Sequence, residues 1–316
     1  MTKIGVIGAG VLGCYHIRKC LARPDVELVG FVELRTPRAR EVASRHGLRR
    51  FPDVEALAGE VDGMIVATPS STHVEIGGIC LDAGVHLLVE KPLAESSEGG
   101  RVLVEKARGK RLVLHVGHSE AFNPAFGTLM RSADKPRFME IHRLAEFTPR
   151  GTDVSVILDL MVHDIHLLRR LCGDAPLPER IAATGVSVIT DDVDIANVRL
   201  PFSSGCVANL TASRISARRM RKLRMFQHDA YFSADFDTCR VEEYRLKRSE
   251  TGERFPVMKT EHTGEESDAL ALEVEAFVED IRLGGRREGV HTTGEEAVEV
   301  LKVTDAILKK IHSDDI

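Results

Sequence analysis

Short apolar runs alternate with helix-period stretches through the first 118 residues. Ile4 to Ile7, Val26 to Val32, Asp62 to Thr68, Val85 to Val89 and Leu112 to Val116 read as buried strands. Between them, helical spacing follows Gly13, then covers Thr36 to His46, Ser71 to Ala83 and Ser96 to Arg108. Gly47 and Gly84 stand where two of these helices should end. Strands alternating with helices imply right-handed crossovers and a parallel sheet. Residues 1–118 are therefore expected to form a doubly wound α/β domain of the Rossmann type.

The pattern changes after His118. Asn123-Pro124 opens a short helix, Arg137 to Leu144 alternates like a strand, and Val154 to Leu171 reads as one long helix. Period-two runs follow at Ile181–Ile189, Asp194–Leu200, Cys206–Ser213 and Leu223–Phe226. Two helices, near Asp268–Leu283 and Glu295–Ile311, close the chain, and the polar segment Arg245 to Gly264 is expected to include a mobile loop. Helices flanking consecutive strands predict an α+β domain with a mostly antiparallel sheet over residues 119–316.

The first strand enters Gly8-Ala9-Gly10-Val11-Leu12-Gly13, with a helical pattern behind it. GxGxxG is weak alone, but here the strand and the helix frame it. Gly8 would allow the tight turn, Gly10 the approach of a pyrophosphate, and Gly13 the close packing of helix on strand. The helix start, with Val11 and Leu12, would offer free N–H groups to an anion. Twenty residues past Gly13, Glu33 ends the second strand, where an acid accepts the ribose hydroxyls of NAD. Its charge favours NAD over NADP, and Arg35 and Arg38 soften that preference. A glycine-rich turn without a ligand is the plainer alternative.

Composition narrows the classes. The 316 residues carry mixed charge with a net value of −5, which points neither to nucleic acid nor to an anionic membrane. Six cysteines without CxxC or zinc spacing read as reduced thiols of a cytoplasmic protein. No apolar run approaches the roughly 20 residues of a membrane helix. Lys3 to Cys14 imitates a short lipoprotein signal, but the dinucleotide motif accounts for its glycines.

Ligands of open α/β sheets sit outside the carboxyl ends of the strands. Thr68-Pro69-Ser70, Glu90-Lys91-Pro92 and His115 to His118 all fall there. Lys91 would polarise a substrate hydroxyl, or is an ordinary surface lysine after a strand. On a straight helix from Asp159, His163 lies at about 40°, His166 at about −20° and Arg170 at about 20°, opposite an apolar face. Asp159 and His163 can touch, and a carboxylate beside an imidazole suits a general base. A hydrogen-bonded pair without reactive role is the alternative. Zinc ligation by Asp159, His163 and His166 lacks HExxH or cysteine support, so no metal is expected. The basic stretch from Arg214 to Arg224 is a solvated face or a phosphate grip, with Arg143 and Arg150 weaker candidates for the same role. It lacks interleaved stacking aromatics, which argues against nucleic acid.

Together these residues resemble the glucose–fructose oxidoreductase, inositol dehydrogenase and rhizopine-catabolism (Gfo/Idh/MocA) family. The likeness rests on Ile4 to Gly13, Ala67-Thr68-Pro69 with His73, Glu90-Lys91-Pro92, Asn123-Pro124, Asp159 with His163, and the closing AFVEDIRLGG. It implies an NAD-dependent dehydrogenase with NADP as the lesser option. It also implies a catalytic group of Lys91, Asp159 and His163, in which the histidine takes the hydroxyl proton and the lysine polarises the oxygen. Thr68, Pro69, His73, Glu90 and Lys91 would join the glycines at the cofactor. Substrate contacts are expected at Lys91, His118, Asn123, Arg150, Asp159, His163 and Arg214. The open sheet of the second domain would mediate a homodimer or homotetramer. FTPRGTDVSVILDLMVHDIH, CVANLTASRIS and RRMRKLRMF look most like members of the UDP-N-acetylglucosamine 3-dehydrogenase type. A sugar or UDP-sugar is thus the expected substrate, with a free polyol or monosaccharide, or a non-catalytic NAD sensor, as rivals. Arg150-Gly151-Thr152-Asp153 and Ala121 depart from the usual family pattern.

Overall fold

A computed structural model describes residues 1–148, 154–248, 254–264, 268–285, 289 and 291–314. In chain order the first elements are β1 (Thr2–Ile7), α1 (Val11–Leu21), β2 (Val26–Val32), α2 (Thr36–His46), β3 (Arg50–Phe51), α3 (Val54–Ala58), β4 (Gly63–Val66), α4 (His73–Asp82), β5 (His86–Glu90), α5 (Ser97–Lys110) and β6 (Leu114–Gly117). Next come α6 (Pro124–Ser132), β7 (Phe138–Leu144), a π-helical turn (Ile157–Met161), α7 (Val162–Cys172), β8 (Ala182–Val186), β9 (Ile195–Pro201), β10 (Val207–Ser213), β11 (Met220–Phe226), β12 (Ala230–Asp235), β13 (Arg240–Arg248) and β14 (Arg254–Thr263). Last are α8 (Ala269–Arg282), β15 (Thr292–Thr293) and α9 (Gly294–Asp314).

The chain forms two compact units, Met1–Ser119 with Asp268–Leu301, and Glu120–Ser267 with Lys302–Ile316. The first holds a sheet in the order β15-β6-β5-β4-β1-β2-β3, parallel except for β15 against β6. Its strands are nearly all apolar because helices cover both faces. One expectation is corrected here. Residues 268–301 do not continue the second domain but return to the first. The reason is apolar burial, since Val274, Phe277 and Val278 of α8 share a core with Ile4, Val6, Phe31 and Ile65.

The second unit holds an eight-stranded sheet, β14-β13-β12-β11-β7-β10-β9-β8. All its pairings are antiparallel except β7 with β10. Strand β7 buries Met139, Ile141 and Arg143 in alternation, as a sheet with one covered face requires. Within the polar stretch from Arg245 to Gly264, residues 245–248 and 254–263 pair as the β13–β14 ladder, and the mobile loop expected there lies outside the described residues. One sequence reading changes. The long helix expected from Val154 starts later, because Val154 and Ser155 are buried and stitched elsewhere. The Val154 carbonyl accepts from Arg214, and the Val156 N–H donates to the Val193 carbonyl. No helix among the described residues is long and apolar enough to cross a membrane.

Candidate active site

In the first unit, the Gly-rich turn has the geometry its sequence asked for. Gly8 takes φ of 86°, in the region favouring glycine. A Cβ on Gly13 would stand 1.8 Å from the Gly8 carbonyl oxygen, so only glycine lets α1 come this close. A Cβ on Gly10 would meet nothing within 4 Å, which leaves room for a phosphate. Gly10 caps α1 without a side-chain hydrogen bond, and no acid occupies the first turn. Val11 and Leu12 are exposed there, at 41% and 45%. The donor set fits a dinucleotide pyrophosphate.

Glu33 is buried at the end of β2. Its carboxylate accepts the N–H of Ala9 at 3.0 Å, the N–H of Arg35 at 2.9 Å and the Arg35 Nε at 3.2 Å. Burial opposes its charge, yet these hydrogen bonds outweigh burial and hold its pKa below the usual carboxylate value. Arg38 reaches the Ala9 carbonyl at 2.8 Å and Arg50 the Glu33 carbonyl at 3.0 Å. Of these guanidiniums, Arg35 meets the Glu33 carboxylate, Arg50 its backbone carbonyl, and Arg38 the neighbouring Ala9.

At the carboxyl ends of β4 and β5, His73 fastens two loops. Its Nδ1 lies 2.8 Å from the Pro92 carbonyl and its Nε2 2.9 Å from the Thr68 carbonyl. The ring is buried and holds the backbone of Thr68-Pro69 beside that of Lys91-Pro92. The Lys91–Pro92 peptide is cis. Lys91 is half-buried. Glu90 points inward instead: its Oε1 lies 2.6 Å from His16 Nε2, and its Oε2 accepts the Lys91 N–H at 3.3 Å. His118, expected at the substrate, is buried, with its N–H on the Val116 carbonyl.

In the second unit, Asp159 lies in the π-helical turn and His163 at the start of α7, both half-buried. The wider i→i+5 turn changes the angles reckoned on a straight helix, and such turns recur at functional sites. His166 is buried, unlike its two neighbours on the reckoned stripe. Asn123 caps α6, accepting the Ala125 N–H at 2.9 Å and donating to the Phe236 carbonyl at 3.0 Å. Arg150 lies outside the described residues.

Arg214 turns inward rather than toward a phosphate. It is buried, with its guanidinium on the Val154 and Val193 carbonyls and 3.5 Å from Asp194. Three more arginines of the basic stretch meet carboxylates: Arg219 with Asp237, Arg221 with Glu120, and Arg224 with Glu140. Arg143 is buried between Asp164 at 2.8 Å and Glu120 at 3.3 Å. Burial would strip its proton, but the two carboxylates outweigh burial and raise its pKa. Sequence reasoning missed the partners of these arginines, and it missed His16 and Glu273. A histidine and a glutamate inside apolar helix faces were the available signal.

Residues 2–118 match the description "Oxidoreductase family, NAD-binding Rossmann fold", and residues 131–230 match "GFO/IDH/MocA C-terminal domain". The UDP-N-acetylglucosamine 3-dehydrogenase of Acidithiobacillus ferrooxidans is 38% identical over 281 residues, covering 88% of each chain. A solved structure of that enzyme superposes with a TM-score of 0.86 at 35% identity, covering 99% of this chain and 98% of the other. Inositol 2-dehydrogenase of Rhizobium meliloti is 23% identical, covering 98% of this chain and 97% of its own. A levoglucosan dehydrogenase solved with NADH and levoglucosan shares the fold, with a TM-score of 0.85 at 17% identity over 99% of this chain and 98% of the other.

Proposed function

Because the chain belongs to the Gfo/Idh/MocA family of NAD-binding oxidoreductases, we propose that it oxidises the 3-hydroxyl of a UDP-N-acetylhexosamine. The 38% identity to a UDP-N-acetylglucosamine 3-dehydrogenase over 88% of both chains is the observation that carries this reading. NAD, when bound, supplies the hydride acceptor. Gly8, Gly10 and Gly13 with the α1 N-terminus would hold its pyrophosphate, and Glu33 its ribose. Lys91 donates a hydrogen bond to the substrate hydroxyl and makes it more acidic. His163 accepts the hydroxyl proton. Asp159 orients the imidazole and favours its protonated form. A homodimer or homotetramer through the eight-stranded sheet belongs to the same reading, and light scattering checks it.

One observation favours a free polyol instead. Arg214, the expected phosphate grip, is engaged inside its own unit. NADH formation with UDP-N-acetylglucosamine, myo-inositol and glucose separates the two. The UDP-sugar should give the highest kcat/KM, and a preference for either unphosphorylated compound would overturn the nucleotide-sugar assignment. Lys91→Ala and His163→Ala should each lower kcat by about 10²–10⁴ while NAD still binds. Wild-type turnover in both variants would end the assignment of these roles.

A further inference from the structure

Beneath Lys91 the first unit buries three ionisable side chains from three elements. His16 comes from α1, Glu90 from β5 and Glu273 from α8. One ligand-type atom of each lies within 4.8 Å of the others. Both oxygens of Glu90 are engaged, Oε1 with His16 and Oε2 with the Lys91 N–H. Glu273 is 2% exposed, and neither of its carboxyl oxygens has a hydrogen-bond partner among the described residues.

Two carboxylates this close and out of water oppose each other's charge, and the one without a cation beside it is the one that stays protonated. The neighbours settle which one keeps its charge. Glu90 holds the hydrogen bond to His16 and feels the Lys91 ammonium, and these outweigh burial and lower its pKa. Glu273 has burial and the Glu90 charge against it, and both raise its pKa. From β1, α8 meets the apolar Ile4 and Val6. The next buried acid on α8 is Asp280, two turns on, which faces His115 at 3.0 Å and His291 at 3.5 Å. The outer face of α8 and its cap carry Glu275 with Arg23, and Asp268 with Lys19.

We propose that Glu273 is a positioning residue for the reaction, a neutral carboxylic acid that leaves Glu90 as the one charged member of the pair and so fixes the backbone at Lys91. The acid keeps its proton on Glu273 throughout turnover. Its effect on the reaction passes through Glu90 and the Lys91 amide, and it therefore rests on the role given to Lys91 above.

The test compares wild type with Glu273→Gln and Glu273→Leu. Glutamine keeps the shape and neutrality of the acid, so kcat should stay within about twofold of wild type. Leucine removes the polar group facing Glu90, and kcat should fall about tenfold or more with KM for NAD little changed. Two further readouts use ligand-free protein and do not depend on Lys91. A protonated-carboxyl stretch should be visible in the infrared spectrum at neutral pH and vanish in Glu273→Gln. A group with a raised pKa contributes stability below its unfolded pKa and loses it as pH rises through the folded value. Melting temperature should therefore fall less steeply toward alkaline pH in Glu273→Gln than in wild type. Absence of the infrared band, equal damage by glutamine and leucine, or a stoichiometric divalent metal lost in Glu273→Gln would each overturn the proposal. Wild-type kcat in Glu273→Leu with the band present would remove the link to Lys91 specifically. Wild-type turnover in Lys91→Ala would instead mark failure of the parent reading.

Discussion

A Cβ added to Gly13 would come within 1.8 Å of the carbonyl oxygen of Gly8, while one added to Gly10 would touch nothing. The two glycines of one motif therefore answer to different constraints. Gly13→Ala must push α1 off the turn, and overpacking of this kind costs about 1–3 kcal/mol or more. Its Tm should fall, and NAD binding should be lost with it. Gly10→Ala should keep the wild-type Tm yet weaken NAD, because its methyl enters the space a pyrophosphate needs. Thermal melts beside an NAD titration check both. Unchanged NAD affinity in Gly10→Ala would place the dinucleotide elsewhere.

The cofactor role proposed for Glu33 can be tested directly. Its carboxylate already receives Ala9 and Arg35, which fixes its orientation at the end of β2. Replacing it by alanine removes charge-assisted hydrogen bonds worth about 1.5–3 kcal/mol each. The kcat/KM for NAD should fall roughly tenfold to a hundredfold, on that energy scale. The same change frees the Arg35 guanidinium from its carboxylate, beside Arg38 and Arg50. The NADP/NAD preference should therefore rise in Glu33→Ala, measured with both cofactors at one saturating substrate concentration. An unchanged ratio would show that the arginines do not reach a 2′-phosphate.

The first unit was legible because its signals are local. The longer parallel strands are largely apolar runs, and the glycines of 8–13 are needed by the turn itself; the two-residue strand β3 (Arg50–Phe51) has no such run and was not read. What the sequence hid depends on partners far along the chain. Glu273 looks like one polar residue in an amphipathic helix until α8 is seen to pack beside His16 and Glu90. Arg214 looks like the start of a basic patch until Asp194 and the Val154 carbonyl are found around it. A charged residue's sign is visible in a sequence, but the sign of what it faces is not. The π-helical turn escaped for a related reason: periodicity assumes a constant 3.6 residues per turn. For Lys91, Asp159 and His163 the sequence showed their places, after a strand and along one helical stretch, and their proposed roles await the kinetics above.

Arg143 and Asp164 form a buried pair that can be tested apart from activity. Both side chains are almost completely enclosed, at 3% and 1% exposure. Removing one partner of such a pair leaves a stranded charge and costs about 3–5 kcal/mol. Arg143→Leu should thus lower stability strongly, whereas Arg143→Leu with Asp164→Leu should recover part of the loss. Denaturant unfolding of the two single variants and the double variant gives the coupling. Additive losses would show that the pair is screened despite its burial.

Asp194 ties the loop after β8. One carboxylate oxygen accepts the N–H groups of Val188, Ile189 and Thr190, at 2.8, 2.6 and 2.9 Å, and the other accepts the Thr190 hydroxyl at 2.7 Å. Burial favours the protonated form, but these donors outweigh it and hold the pKa well below the carboxylate range. A depressed carboxyl contributes stability above its unfolded pKa and loses it as pH falls through the folded value. Asp194→Asn should therefore melt below wild type at neutral pH. The gap should narrow once the pH drops below about 4, the unfolded value for aspartate. A gap independent of pH would mean that the charge of Asp194 is not what holds the loop.

Arg214 extends that anchor to the helix bearing Asp159 and His163. Its guanidinium joins Asp194 and two backbone carbonyls, one of them Val154 at the lead-in to the π-helical turn. A planar fork can serve several acceptors at fixed angles, and an ammonium cannot reproduce that arrangement. Arg214→Lys keeps the charge but should lose most of the positioning. On the roles proposed for Asp159 and His163, its kcat should fall about tenfold or more, since small misplacement of reacting groups is expensive in rate. KM for NAD should stay near wild type, because the Gly-rich turn belongs to the other unit. Were Arg214 a phosphate grip, the loss would fall chiefly in KM for the UDP-sugar and little in kcat. Steady-state kinetics with NAD and sugar nucleotide varied in turn distinguishes these outcomes.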